Sequence, residues 1–197
     1  MNGKLTHSIS AFLAIVFLLA GCAAAGKNDP IASINGENIT ARDVAFYQSL
    51  YRIELAVNHK QEGKAQAEKV PDNNAALTQL IRLRSMALLA REKGYEEDQK
   101  AGSKLNEEKK QYRVNQAVLQ IIKAYGEEEF WKKEQIHQKE LLLAAQVKED
   151  IVKQAIKEKP GAGQQEIAYL ANQNYEELLV SQVSSLKITF FNKEKSK

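Results

Sequence analysis

Apolar positions along the chain alternate at its two folded ends and recur every three to four residues almost everywhere between, which predicts helices framed by short strands. Ile31 to Ile34 and then Ile39 flank Asn35-Gly36, a pair that supplies the two positive φ angles of a type I′ turn. A tiny hairpin follows from that. Thr40 then stands as an N-cap with Asp43 three residues on, a variant of the capping box in which Asp replaces Glu or Gln, so a helix should begin at Thr40.

The first helix, about residues 41–57, carries Val44, Tyr47, Tyr51 and Leu55 on one stripe and Phe46, Leu50, Ile53 and Val57 beside it, a face wide enough to need several partners. A polar stretch with Gly63 and Pro71 separates it from a second helix that starts near Asp72 and stops at Gly94. Leu77, Leu80, Ile81, Leu83, Ala87 and Leu88 share its face, Met86 and Leu89 lie off it, and this helix should be the central one. Arg84 and Arg91 fall inside the stripe, where we weigh snorkelling side chains ahead of buried functional ones. A third helix, from about Glu97 to Gly126, should be a solvated arm as far as Gln111, with a core face from Tyr112 through Val118, Leu119, Ile122 and Tyr125. Glu127 to Glu129 then place acids at a helix start, where the dipole favours them. The helix they open should run to about Glu158, with Leu141, Ala144, Ala145, Ile151, Val152, Ala155 and Ile156 as its apolar side, and span roughly 45 Å at 1.5 Å per residue. Pro160-Gly161-Ala162-Gly163 breaks the pattern before a last helix, about residues 165–184. Leu186 to Phe191 alternates like a strand, and its partner should be the opening hairpin, so that the two ends meet in one small sheet.

Composition fits this mainly α reading. Charged residues make up 27% and aromatics 7% of 197 residues, as in long solvated helices, and a net charge of +3 carries no nucleic-acid signature. Lys4 and the apolar run Ile9 to Ala20 have the form of a secretion signal, too short for a confident membrane span. Leu19-Ala20-Gly21-Cys22 resembles the bacterial lipobox, with the chain's one cysteine in the modified position. The resemblance implies cleavage before Cys22, a diacylglyceryl group on its sulfur and a further acyl chain on the new amino group. More than one chain anchors stably. The plain alternative is a simple signal with a chance cysteine. The expected organisation is therefore a lipoprotein signal at 1–21, a tether at 22–30, and a helical domain at 31–197 on the extracytoplasmic face of a membrane.

Ala32 to Thr40, ASINGENIT, resembles the start of the SurA and PrsA family of exported folding factors, Val-Asn-Gly-Glu-x-Ile followed by a helix. Leu80-Ile81 leading to Ala90-Arg91-Glu92-Lys93-Gly94-Tyr95 is similar to a second family pattern, and the resemblance is firmest over about residues 31–125. It implies a SurA N-terminal or trigger-factor-like chaperone domain. Foldases of this family also carry a parvulin prolyl isomerase domain with histidines and a Gly-Gly-rich segment. Only His59 and His137 follow Cys22, neither in such a motif, which removes the enzymatic expectation.

No phosphate loop, metal-ligand spacing or nucleophile elbow is present, and no cofactor is expected. Glu96-Glu97-Asp98 and Glu107-Glu108 sit in Lys-rich stretches and read as solvated faces. Phe46, Tyr47, Tyr51, Tyr125, Phe130 and Trp131 are the candidate client-binding side chains, with a core role weighed ahead of contact for them. The expected function is ATP-independent binding of unfolded or exported polypeptides. The alternatives are a scaffold lipoprotein docking one dedicated partner and, third, a degenerate isomerase.

Overall fold

The computed structural model describes residues 28–58, 69–96 and 100–191. Cys22, the signal, the tether as far as 27, and His59 lie outside the described residues. Asn35 and Gly36 have φ of 49° and 89°, as a type I′ turn requires, and join β1 (Pro30–Ile34) to β2 (Glu37–Thr40). Ala32 pairs with Ile39 and Ile34 with Glu37 in this antiparallel hairpin. On the other edge of β1 lies β3 (Ile188–Phe190), antiparallel, with Ile34 opposite Ile188 and Ala32 opposite Phe190. The sheet order β2-β1-β3 makes the first strand central. Asn35 serves the closure twice, because its N–H donates to Lys187 O and its Oδ1 accepts from Lys187 N, each at 2.9 Å.

Among the described residues six helices lie between the hairpin and β3: α1 (Ala41–Asn58), α2 (Asn73–Glu92), α3 (Lys100–Arg113), α4 (Gln116–Tyr125), α5 (Glu127–Glu158) and α6 (Gln164–Ser185). The protein is thus mainly α with a small three-stranded antiparallel sheet made from both ends. Thr40 and Asp43 form the reciprocal cap. Thr40 N donates to Asp43 Oδ2 at 2.8 Å and Asp43 N to Thr40 Oγ1 at 3.2 Å. Asp72 caps α2 through Ala75 N, and Gly94 follows its end at φ 81°.

The expected single third helix is two. Asn115 Oδ1 accepts from the N–H groups of Ala117 and Val118, and this local cap competes with the helical ladder and turns the chain between α3 and α4. Neither is α3 a solvated arm, since Ala101 and Leu105 are buried where it lies against α5. On α2, Met86 is fully buried although it lies off the apolar face, whereas Leu83 and Leu88 are half-buried. The helix is covered on more than one side, so one stripe does not describe it. On α5, Leu143 and Val147 take core positions, and Leu141, Ala145 and Ile156 are exposed. A helix of 32 residues meets different partners along its length, and each reads a different face.

Among the described residues three apolar clusters result. The first packs β1 and β2 on Val44, Leu77, Leu80 and Ile81. The second joins the end of α2 to α5 and α6 through Met86, Leu143, Val147, Ile151 and Leu179. The third unites α1, α4 and the start of α5 around Phe46, Ile53, Ile122 and Phe130.

Candidate functional site

The start of α5 carries Lys133, Glu134, His137, Gln138 and Glu140 within two helical turns, in register with core residues Phe130 and Leu143. Helical spacing therefore turns charged groups inward. They meet charges from α1, α2 and α3 and form a buried polar seam between the apolar clusters.

One half of the seam centres on Asp43. Lys133 Nζ lies 2.8 Å and Arg84 Nη2 3.4 Å from Asp43 Oδ1, and Arg84 Nε is 3.7 Å from Glu140 Oε1. Burial alone would raise the Asp43 carboxyl. The Lys133 hydrogen bond, the two bonds from Thr40 and the Arg84 charge outweigh it, and the group is held below its ordinary value. Glu140 goes the other way: burial raises it, and the charges of Arg84, His137 and Arg91 offset that only in part. A void of about 40 Å³, lined by Asp43, Phe46, Arg84, Lys133, His137 and Glu140 among others, lies within this cluster and is large enough for a water molecule. Arg84 is thus a partly covered ion-pair residue, its side chain 17% exposed. The snorkelling expectation fails because α1 and α5 cover the side chain and offer carboxylates there. Arg91 is exposed as expected.

The other half pairs carboxylates. Gln138 Nε2 donates to Glu108 Oε1 at 2.7 Å and to Glu134 Oε1 at 2.8 Å, and Glu134 is only 2% exposed. Glu108, expected on a solvated face, is half-buried by the docking of α3 on α5.

A third polar contact clamps α1 to the α4–α5 corner. Arg42 Nε and Nη2 reach Glu129 at 2.6 to 3.0 Å, its guanidinium stands 3.8 Å above the Tyr125 ring, and Tyr125 Oη donates to Arg42 O at 3.0 Å. Gly126, at φ 114°, ends α4 beside this clamp.

The candidate client-binding aromatics divide. Phe46, Tyr125 and Phe130 pack on one another with centroids 5.3 to 6.1 Å apart and are buried, so they offer no face to a client. Their apolar area is used in joining α1, α4 and α5. Tyr47, Tyr51 and Trp131 are half-buried, Trp131 stacking on Tyr112. Reading residues singly missed Asp43, Arg84, Glu108, Lys133, Glu134, Gln138 and Glu140 as one network. The signal available was register: Glu134 and Gln138 continue the stripe of Phe130, and Glu108 stands between Leu105 and Tyr112. Among the described residues, no group of three His, Cys, Asp or Glu side chains is placed to hold a metal ion, and no helix is long and apolar enough to cross a membrane. Comparison with protein-family models, with curated proteins and with solved structures finds no match to the chain.

Proposed function

We propose that the chain acts on the extracytoplasmic face of a membrane, tethered by a lipid on Cys22, as an ATP-independent binder of unfolded or exported polypeptides without isomerase activity. The observation that carries this reading is an open apolar cleft of about 450 Å³ at the α5–α6 turn, lined by Val152, Ile156, Ala162, Ile167 and Ala168. Ile156 and, close by in sequence, Tyr169 are exposed large side chains. Uncovered apolar surface at the far end of a long helical hairpin suits transient contact with an apolar segment. The resemblance in Ala32 to Thr40 supports the same reading, since that segment opens the sheet that closes the domain. Release needs no nucleotide when each contact is weak.

The test is suppression of aggregation, read by light scattering, for several unrelated unfolded proteins. Wild type should suppress it, and a variant carrying Ile156→Asp and Ile167→Asp should not, with its helical circular dichroism unchanged. Equal suppression by both proteins would overturn the assignment of the cleft. The second reading, a scaffold for one dedicated partner, is favoured by the burial of Phe46, Tyr125 and Phe130, which leaves a filled core rather than an apolar hollow between the helices. No suppression together with one stoichiometric partner would favour it.

A further inference from the structure

Helix α3 places Ala101, Leu105, Glu108 and Tyr112 at helical spacing along the side that meets α5. Ala101 and Leu105 are buried at one end of this stripe. At the other end Tyr112 stacks on Trp131 with centroids 6.1 Å apart, and Lys109 Nζ lies 5.1 Å from the Trp131 ring. Between these ends the two helices meet through carboxyl groups, Glu108 from α3 and Glu134 from α5, with the Gln138 amide bonded to one oxygen of each. The remaining oxygens, Glu108 Oε2 and Glu134 Oε2, are buried without a hydrogen-bond partner, as is His137 Nδ1, 3.4 Å from Glu134 Oε2. One neutral amide cannot compensate two adjacent negative charges at a buried site, and a single proton held between the carboxyls can.

We propose that α3 is a pH-responsive cover, docked on α5 while Glu108 and Glu134 share one proton, and loosened when that proton passes to solvent, which uncovers the seam of Leu105, Tyr112 and Trp131. The groups facing Glu108 are Lys104 and Tyr112 on its own helix and Glu134 and Gln138 on α5, while His137 lies beside Glu134 and Glu54 of α1 faces Tyr112. Burial first, then the neighbouring Glu134 carboxylate, raise the Glu108 carboxyl from 4.5 to about 7, with Lys104 opposing in part. A carboxyl raised in the docked state favours docking fully below its free value of 4.5. The preference weakens as pH climbs through the interval to about 7, and the loss is complete above it. This cover is a property of the α3–α5 seam and stands apart from the proposed binding of clients.

Trp131 is the one tryptophan of the chain, so its emission reports on this seam alone. Emission and hydrogen exchange of the α3 amides, corrected for intrinsic rate, are followed from about pH 5 to about pH 8.5, the range that also contains imidazole titration. The expected result is a red shift, together with a gain approaching about a hundredfold in α3 exchange relative to α2, both with a midpoint near 7. Glu108→Gln should stay docked across the range, because its amide stands in for the shared proton, and His137→Gln should keep the transition. A flat wild type, a transition that survives in Glu108→Gln, or one abolished by His137→Gln would overturn the proposal. Should Glu108→Gln lose its helical signal, Glu134→Gln removes the same repulsion and makes the same test.

Discussion

At the scale of single residues, Asp43 has three roles that its position in the sequence suggests only in part. It completes the cap with Thr40, which the spacing of the two residues already implies. It also faces Lys133 and Arg84, 90 and 41 positions away, and no local pattern announces those partners. Replacing Asp43 by Ala removes the cap and leaves two partly covered cations, Lys133 without this carboxylate and Arg84 with Glu140 alone, and we expect a loss of about 2 kcal/mol in urea unfolding. Asp43→Asn keeps a capping oxygen and should cost less. The depressed carboxyl sets the sign of the acid response. Its contribution is fully present above the unfolded value of about 4 and is lost as pH falls through the lower folded value, so wild-type stability should drop below pH 4. In Asp43→Asn that part of the drop should vanish. A parallel acid profile for the two proteins would remove Asp43 from the account.

At the scale of elements, helix ends were legible and helix faces less so. Asp72, Gly94, Gly126 and the Pro160 to Gly163 break bound α2, α4, α5 and α6 because capping and turn chemistry depend on neighbours in sequence. The break at Asn115 was hidden. Asn is tolerated inside helices, and only the packing of α4 on α1 and of α3 on α5 favours its capping conformation here. Asn115→Ala removes two accepted hydrogen bonds and should destabilise the protein by about 1 kcal/mol. Hydrogen exchange should localise the effect to the first turn of α4, and unchanged protection there would show that packing alone makes the turn. The faces of α5 follow the same logic: register with Phe130 turns its polar residues Glu134 and Gln138 inward, and α3 brings Glu108 to meet the Gln138 amide there.

At the scale of the whole molecule, the ends of the chain hold the sheet. A protein ending at Lys187 loses β3, leaves β1 as an open edge and removes Ile188 from the cluster around Ala32 and Ile34. We expect about 2 kcal/mol of destabilisation from that lost burial and pairing, with the amides of β1 losing protection while those of α5 keep theirs. Equal loss in both would mean that the sheet and the helices unfold as one unit. The sequence by itself determined the hairpin, the helix boundaries other than the break at Asn115, and the pairing of the two ends, since turn angles, caps and alternating apolar residues act over a few positions. Tertiary structure bore out the core role weighed first for Phe46, Tyr125 and Phe130, and it alone decided that Arg84 is an ion-pair residue and that Glu108 meets Glu134. The physical reason is that a charge or an aromatic ring takes its character from its surroundings. Those surroundings are assembled from helices far apart in the chain.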